Sequence, residues 1–127
     1  MGVSKVLTNK APAPRGLLSQ AIICNGMVYC SGATGVDPAT NKLILGNAGD
    51  RTTQTLRNLA AVLEAAGSSI RNVVKVNVYL TSMDDFREMN AAYEQVFKYD
   101  PKPARTCVQV TAFPAKTDVE IDLIAAV

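Results

Sequence analysis

Two stretches of the sequence have the apolar spacing of an amphipathic helix, and they decide what the rest of the chain must provide. The first runs from about Asp50 to a helix stop at Gly67, and its apolar residues recur at intervals of three and four: Leu56, Leu59, Leu63 and Ala66. The second follows Ser82 and Asp85, which are spaced like a capping box, and its apolar face comprises Phe86, Met89, Tyr93, Val96 and Phe97. Each helix has one apolar face to bury, so a second layer of structure is required.

The segments before and between these helices have the period of β-strands. Residues 21–24 and 27–33 flank Asn25-Gly26, the dipeptide typical of a type I′ hairpin turn. Residues 74–80 alternate aliphatic with other side chains, which is the spacing of a strand. The stretch 35–50 has no periodicity and several Gly, Pro and Asn residues, so it is predicted to be a loop at the rim of a pocket.

Two final strands, at about residues 105–112 and 119–126, are expected to be joined by a turn around 114–118. The order hairpin, helix, strand, helix, hairpin predicts one α+β domain over residues 1–127, in which both helices cover one face of one sheet. Several strands have apolar residues on both faces: Met27 and Val28, Val73 and Val74, and Leu123 and Ile124. The uncovered face is therefore too apolar for full exposure, and we expect self-association to bury it. The alternative is that the loop after the first hairpin folds over it.

The chain contains no histidine, which excludes Ser-His-Asp and Cys-His catalysis and histidine-ligated metal sites. Its three cysteines, Cys24, Cys30 and Cys107, include no CxxC pair, so we expect neither a disulfide framework nor a zinc site, and the cytosol fits as a reducing compartment. The net charge is +2, from 13 basic and 11 acidic residues, without a basic patch for nucleic acid or lipid. No apolar stretch is long enough to span a membrane, and the N-terminus lacks the apolar core of a secretory signal.

Polar side chains are concentrated on one face of the last two predicted strands. Period two places Arg105, Cys107 and Gln109 on one face of the first strand, and Glu120 and Asp122 on one face of the second. The apolar sets of both strands are expected to face the helices, so these five residues are expected on the opposite face. Two interpretations of Arg105 remain open: an ion pair with Glu120 that fixes the strand register or a subunit interface, or a site in which Arg105 binds a substrate carboxylate and Glu120 holds a water.

Short motifs occur in a fixed order along nearly the whole chain. The longest are the segments 103–108 (PARTCV) and 119–125 (VEIDLIA). Before them come Gly16, Ser19-Gln20, Ser31-Gly32, Asp37-Pro38, Asn58-Leu59, Ala65-Ala66-Gly67, Val74-Lys75, Asp85-Phe86, Asn90 and Tyr93. In this order and spacing the chain resembles the RidA/YjgF family of enamine/imine deaminases.

The resemblance implies a chorismate-mutase-like (YjgF) α+β subunit with one mixed sheet, assembled as a homotrimer with its helices outside and a ligand cleft at each subunit interface. It also implies hydrolysis of reactive 2-enamino and 2-imino acids, such as 2-aminoacrylate, to 2-keto acids and ammonia, without a metal or other cofactor. That chemistry suits a chain without histidine, because an imine is already electrophilic and requires positioning and proton transfer rather than a covalent nucleophile.

The resemblance assigns roles to individual residues. Arg105 would bind the substrate carboxylate, the backbone N–H of Cys107 would add a donor, and Glu120 would orient water and transfer protons. The pocket would be lined or supported by three further residues: Ser31, Gly32 and Asn90. Beside Arg105 the ionised form of Glu120 would be favoured, so we expect it to be a better base than acid. Neither Cys107 nor Ser31 is expected to be a nucleophile, because no histidine is present to activate it.

The chain departs from the family pattern at two positions. Gly16-Leu17-Leu18 stands where the family usually has Gly-x-Tyr, and Ser31-Gly32-Ala33 where it usually has Ser-Gly-Gln. Both changes make the implied pocket less polar, which bears on substrate range and activity. The alternative function is a non-catalytic trimer that binds 2-keto acids or amino acids and regulates a partner enzyme. Scattered basic residues and the lack of histidine argue against a ribonuclease or translation inhibitor. The mitochondrion is the alternative compartment to the cytosol.

Overall fold

The computed structural model describes residues 2–127, which form a six-stranded sheet, two α-helices and a separate two-stranded ribbon. The elements follow one another as β1 (Ser4–Val6), β2 (Ala21–Cys24), β3 (Met27–Ala33), β4 (Val36–Asp37), β5 (Lys42–Leu43), α1 (Ala48–Ala65), β6 (Val73–Leu80), α2 (Phe86–Val96), β7 (Ala104–Gln109) and β8 (Val119–Ala126). Short 3₁₀ turns at Ile70–Asn72 and Met83–Asp85 precede β6 and α2. Neither α-helix in this part of the chain is long and apolar enough to cross a membrane.

The six-stranded sheet has the strand order β1-β2-β3-β8-β6-β7, and all neighbours are antiparallel except β6 and β7. Both helices pack on the same face of this sheet. The largest buried apolar side chains of that layer are Leu56, Leu59, Leu63, Leu80, Met89, Val28, Val76, Val78, Val119, Ile121 and Leu123. The predicted α+β class, the mixed sheet and the two-helix layer are confirmed.

The first predicted hairpin is confirmed with its predicted bounds. Asn25 and Gly26 have φ values of 52° and 74°, the left-handed backbone of a type I′ turn, which joins β2 to β3. The prediction succeeds because the turn chemistry is contained in two adjacent residues. β1, which pairs along the other edge of β2, is a strand that the sequence pattern did not predict.

Both helices are confirmed, with differences at their starts. α1 begins at Ala48, before the predicted Asp50, because Asn47 caps it. The Asn47 side chain accepts from the backbone N–H of Asp50, and the Asp50 carboxylate accepts from the N–H of Asn47. The capping box expected before α2 is not formed, because the Ser82 hydroxyl accepts from the N–H of Asp84 within a 3₁₀ turn.

The stretch 35–50, predicted to be a loop, contains the antiparallel β4–β5 ribbon. Asp37 fixes the turn between these strands: its carboxylate accepts from the N–H of Ala39, and its carbonyl accepts from the N–H of Asn41. Asn41 has a positive φ of 60°, which its short polar side chain tolerates. Strands of two residues are too short to show an alternating pattern, so periodicity alone could not reveal them.

The predicted hairpin of the last two strands is wrong. β7 and β8 are not neighbours, because β6 lies between them and pairs with β7 in parallel and with β8 antiparallel. α2 returns the chain to the other end of the sheet, as a parallel neighbour requires. β7 ends at Gln109 rather than Ala112, and the chain then crosses the end of β6, where the carbonyl of Asp118 accepts from the N–H of Thr81.

This pairing also reverses the predicted face of β7. Arg105 lies opposite Val76 and Cys107 opposite Val78, and both valines are fully buried beneath the helices. Arg105, Cys107 and the following Gln109 therefore belong to the helix-covered face. The other face, called the open face below, carries the alternate residues of β7 and both carboxylates of β8: Thr106, Val108, Glu120 and Asp122.

The open face has no cover within residues 2–127. The stretch 35–50 packs against α1, where the side-chain amide of Asn58 donates to the carbonyls of Thr34 and Val36 at 3.0 and 2.8 Å. The expected alternative, in which this loop folds over the uncovered face, is therefore wrong. Tyr29 and Val108 on the open face are 45% and 41% exposed, and burial of this face by a second copy stays a prediction.

Candidate functional site

The end of β3 holds the segment that precedes β2 in place. The backbone N–H of Ser31 donates to the carbonyl of Gln20 at 3.0 Å, and the Ser31 hydroxyl donates to the carbonyl of Ser19 at 2.6 Å. Gln20 is itself buried, and its side-chain amide exchanges hydrogen bonds with the backbone of Thr8. The Ser31 hydroxyl thus positions a neighbouring segment of chain.

Gly32 lies directly beside the carboxyl group of Glu120. The pairing of β3 with β8 is irregular between Cys30 and Ala33, so the backbone of Gly32 approaches the open face, where Glu120 lies. A Cβ atom at position 32 would stand 2.7 Å from Oε2 of Glu120, which is closer than such atoms approach. Only glycine therefore leaves room for the carboxyl group in this position.

The environment of Glu120 raises its pKa. Burial is the larger cause, and the negative charge of Asp122, two residues along the same face of β8, is the second. Asp122 accepts hydrogen bonds from the side-chain amide of Asn77 and the hydroxyl of Tyr79, each at 2.9 Å. The expectation that Arg105 favours the ionised form of Glu120 is wrong within one chain. A raised pKa brings this carboxyl group closer to the range in which it can both accept and donate a proton.

Arg105 is held under α2 by neutral partners. Its Nη2 donates to Oδ1 of Asn90, and its guanidinium carbon lies 4.4 Å from the ring centre of Tyr93 and 5.8 Å from that of Phe86. The sulfur of Met89 is 3.9 Å from Nη2. In the part of the chain that the structure describes, no carboxylate lies within ion-pair distance of this cation. Arg105 is therefore oriented by its surroundings but retains its charge for a ligand.

Sheet register keeps Arg105 and Glu120 apart within one chain. Arg105 lies opposite Val76 on β6, whereas Glu120 lies opposite Tyr79, further along the same strand. Three strand positions correspond to roughly 10 Å, and the two strand spacings across β6 add roughly another 10 Å at right angles. The two side chains also leave opposite faces of the sheet. An Arg105–Glu120 ion pair within the chain is therefore excluded, and one small molecule cannot contact both side chains of the same copy.

The predicted site residues thus fall into two groups. The first, on β7 and α2, comprises Arg105, Cys107 and Asn90, and is called the cation group. The second, at the end of β3 and the start of β8, comprises Ser31, Gly32 and Glu120, and is called the carboxyl group cluster. Within each group the structure brings the predicted residues together. It does not bring the two groups together in one copy.

A cavity of about 450 Å³ adjoins the carboxyl group cluster. It lies between the segment before β2, the end of β3 and the inner face of α1, and Ser31 and Gly32 form part of its wall. Leu18 and Ala33, the two positions at which the chain departs from the family pattern, line the same cavity. Asn41 of the β4–β5 turn lies at its wall, so the expectation that stretch 35–50 contributes to a pocket rim is confirmed.

An ion pair missed by the sequence analysis fixes the start of β8. Arg51 of α1 donates from Nε and Nη2 to the two carboxylate oxygens of Asp118 at 2.7 and 2.6 Å, and its Nη1 donates to the carbonyl of Gly46 at 2.9 Å. The arginine lowers the pKa of Asp118. Sequence offered no signal for this pair, because its partners are 67 positions apart.

The metal-ligating side chains and the cysteines were both candidates for chemistry at the site. Residues 2–127 contain no group of three or more metal-ligating side chains. Burial raises the pKa of the Cys30 thiol to about 12, which keeps it protonated and unreactive. Cys107 is half-buried on β7, opposite Val78 and on the same face of the sheet as Arg105.

Comparison with known proteins gives consistent matches. The sequence profile of a protein family described as Endoribonuclease L-PSP matches residues 8–127. A Schizosaccharomyces pombe relative named "Protein mmf1, mitochondrial" is 49% identical over 113 residues, which cover 87% of this chain and 68% of that protein. The human 2-iminobutanoate/2-iminopropanoate deaminase is 38% identical over 120 residues, covering 94% of this chain and 87% of that protein.

A solved structure of Escherichia coli TdcF with bound serine shares the fold. It superposes on this chain with a TM-score of 0.90 at 33% identity, and the match covers 97% of this chain and 98% of that chain. The similarity therefore includes nearly every element described above.

Proposed function

The chain belongs to the RidA/YjgF family, and from this membership we propose that it is a cofactor-independent deaminase of 2-enamino and 2-imino acids. The human relative carries a name for this reaction, with 2-iminobutanoate and 2-iminopropanoate as substrates. The observation that carries the proposal for this chain is Arg105, a cation held in a fixed orientation by uncharged neighbours.

Arg105 is suited to bind the carboxylate that every such substrate has. A guanidinium can donate two parallel hydrogen bonds to a carboxylate, and it is favoured where the site is partly removed from water. Asn90 and Tyr93 occupy one edge and one face of the guanidinium, which leaves its remaining N–H groups for a ligand. The serine bound to TdcF, an amino acid, carries a carboxylate of the same kind. The backbone N–H of Cys107 adds a further donor in this proposal.

Two copies of the chain would form each site in a homotrimer. The cation group of one copy and the carboxyl group cluster of its neighbour would meet across the subunit interface. The separation of Arg105 from Glu120 within one copy supports this arrangement, because both can reach one small substrate only from different copies. The exposed apolar side chains of the open face would be buried by the same assembly.

The reaction requires one water and returns its protons within the site. Glu120 accepts a proton from water while the water oxygen forms a bond to C2 of the protonated imine, and the electron pair of the C=N bond moves to nitrogen. Glu120 then passes the proton to that nitrogen. Glu120 takes the hydroxyl proton as the C–N bond breaks and gives it to the departing ammonia, so the products are a 2-keto acid and an ammonium ion. Positioned proton transfer of this kind contributes roughly 10²–10⁴-fold.

A coupled assay with a matched pair of variants tests the proposal. An amino-acid oxidase generates the imino acid, and ammonia release above the spontaneous rate is measured for wild type, Arg105→Ala and Arg87→Ala. Loss of a paired charge costs about 2–5 kcal/mol, so kcat/KM should fall by at least ~30-fold for Arg105→Ala. Arg87, an exposed cation on α2, should be replaceable without effect. A wild type that adds nothing to the spontaneous rate would refute the proposal.

A second candidate is a non-catalytic trimer that binds 2-keto acids or amino acids and regulates a partner enzyme. Leu18 and Ala33 favour it, because they remove polar groups that the family pattern places at the pocket. Saturable binding of a 2-keto acid without turnover would distinguish it from the deaminase. The lack of histidine, the usual acid and base of ribonucleases, argues against endoribonuclease activity in this chain.

We propose the cytosol as the compartment, with the mitochondrion as the alternative. Reduced cysteines fit the first, and the name of the fission-yeast relative supports the second. Imaging of the full-length chain with a C-terminal fluorescent tag distinguishes them.

A further inference from the structure

The cavity beside the carboxyl group cluster extends away from the reacting position. Gly32 contributes to its wall and is also the residue against which the Glu120 carboxyl group lies. From there the space continues between the segment before β2 and the inner face of α1. Its volume of about 450 Å³ lies within the range of small-molecule sites. Glu120 itself is not part of the wall, so Gly32 is the link between its carboxyl group and the cavity. The side chain of a substrate attacked beside Glu120 would enter the cavity past Gly32.

The walls of the cavity are predominantly apolar. Aliphatic side chains and prolines make up most of its lining: Ala11, Pro12, Ala13, Pro14, Leu18, Ala33, Val36, Leu59, Val62, Pro114 and Ala115. Arg15 and Asn41 are also part of the wall, and both are exposed. Leu18, which is 54% exposed, lies with them at the solvent side, at the mouth of the cavity. Removal of apolar substrate surface from water is therefore the main favourable interaction that the interior offers.

Most polar side chains of the interior are already engaged by the protein. The Ser31 hydroxyl donates to Ser19, and the Asn58 amide donates to Thr34 and Val36 while its oxygen accepts from Gln54. No buried side-chain nitrogen or oxygen in residues 2–127 lacks a partner. The Thr34 hydroxyl, which makes no hydrogen bond among residues 2–127, is the exception in the interior. A polar substituent would therefore gain at most this one partner for the hydration that it loses, which disfavours it.

We propose that this cavity receives the substrate side chain, so that the protein prefers 2-imino acids with aliphatic side chains of three or more carbons over those with a methyl group or a polar end. Leu18 is the specificity-determining residue, because it presents an aliphatic surface where the family pattern has a phenol. This inference rests on the proposed deaminase function and adds the class of substrate.

A substrate series tests the preference. Imino acids are generated in situ from alanine, 2-aminobutyrate, norvaline, leucine and glutamine, and kcat/KM is determined for each above the spontaneous rate. The value should rise along the aliphatic series and be at least ~10-fold higher for the leucine-derived than for the alanine-derived substrate, since each methylene in an apolar pocket gives roughly a 10-fold gain or more. The glutamine-derived substrate, which is longer but polar, should not share the gain.

Two neighbouring leucines provide the variants. Leu18→Tyr narrows the cavity and adds a hydroxyl, so it should reduce the leucine-to-alanine ratio of kcat/KM by at least ~5-fold, somewhat less than the gain from one methylene. Leu17→Tyr makes the same replacement at a side chain that is 99% exposed and not part of the cavity, and should leave the ratio unchanged. Equal effects of the two variants would overturn the assignment of Leu18.

Two measurements distinguish failure of the substrate-preference inference from failure of the proposed deaminase activity: the dependence of activity on side-chain length, and the binding of 2-keto acids. Activity on all substrates with a flat or inverse dependence on side-chain length would overturn the inference and leave the deaminase in place. If no substrate is hydrolysed, calorimetry with pyruvate and 4-methyl-2-oxopentanoate still decides: at least ~10-fold tighter binding of the longer acid supports the cavity assignment, and equal affinities refute it.

Discussion

At the scale of single residues, a Gly32→Ala substitution tests whether activity depends on the position of the Glu120 carboxyl group. In Gly32→Ala the new Cβ would stand 2.7 Å from Oε2 of Glu120, so the flexible end of Glu120 must move. Positioned proton transfer is worth roughly 10²–10⁴-fold, so we expect kcat to fall by about 10- to 100-fold with little change in thermal stability. Gly16→Ala is the matched control, because nothing lies within 4 Å of a Cβ there. Undiminished activity in Gly32→Ala would show that the position of Glu120 does not matter.

The aromatic ring beneath Arg105 makes Tyr93 a positioning residue. Tyr93→Leu removes the ring 4.4 Å from the guanidinium, and Tyr93→Phe keeps it. A cation–π contact is worth about 0.5–2 kcal/mol, so KM should rise by roughly 2- to 30-fold in the leucine variant, with a smaller change in kcat. The phenylalanine variant should resemble wild type. Equal kinetic losses in both variants, or a change in kcat alone, would contradict this role.

The pH dependence of activity should report on Glu120. Burial and the Asp122 charge both raise the pKa of its carboxyl group, and Glu120 must be ionised to accept a proton from water. Activity therefore rises with pH as Glu120 loses its proton. Asp122→Asn removes the second cause, so the acidic limb of the kcat/KM profile should move to lower pH. Glu120→Gln should abolish this pH-dependent rise in activity. If Asp122→Asn leaves the acidic limb of the kcat/KM profile at the same pH, a group other than Glu120 is responsible for it.

At the scale of elements, the Arg51–Asp118 pair connects α1 to the start of β8. Asp118→Asn should lower the free energy of unfolding at pH 7 by about 1–2 kcal/mol, the value of charged hydrogen bonds discounted for partial exposure. The pKa of Asp118 is lowered in the folded state, so this contribution is present at neutral pH and is lost as pH falls through that lowered value. Denaturant titrations at pH 7 and in acid measure both effects.

The control for that substitution is the exposed pair of Lys102 and Asp100. Their nitrogen and oxygen are 3.0 Å apart, but their side chains are 54% and 86% exposed. Asp100→Asn should therefore leave the unfolding free energy unchanged. A difference between wild type and Asp118→Asn that persists unchanged in acid would show that the charge of Asp118 is not its source.

Local chemistry made some elements predictable and left others hidden. Asn25-Gly26 encodes its own turn, and the leucines of α1 encode their own face, so both were predicted correctly. The neighbours of β6 depend on a crossover through α2, which no single segment encodes. The period of two correctly placed Arg105 and Thr106 on opposite faces of β7. Each face of this strand carries both polar and apolar residues, so the pattern could not show which face the helices cover.

The candidate site also has features that could be predicted from the sequence and features that could not. The identities of Arg105 and Glu120 came from the resemblance to a family, and the residues alone left an ion pair between them open. Their separation follows from strand order, which lies beyond what periodicity can supply. The Gly32 contact with Glu120 also depends on an irregular β3–β8 register that leaves no mark in the sequence pattern.

At the scale of the whole molecule, mixing two inactive variants tests whether sites are shared between copies. Arg105→Ala and Glu120→Gln chains, unfolded together and refolded in equal amounts, should assemble at random. About a quarter of the interfaces would then join an intact Arg105 to an intact Glu120, so about a quarter of wild-type activity should return. Each variant refolded alone is the control. A mixture as inactive as its components would place both residues of a site in one copy.

The placement of Arg105 and Glu120 on opposite faces of one sheet also makes catalytic activity depend on the concentration of the chain. On the proposed mechanism a solitary chain is fully folded yet has only half of the chemistry, so the law of mass action governs the amount of working catalyst. In dilute solution that amount falls more steeply than the chain concentration itself. Where the trimer dissociates, its amount follows at most the third power of the free chain concentration, so a twofold drop in expression would lower activity by up to about eightfold.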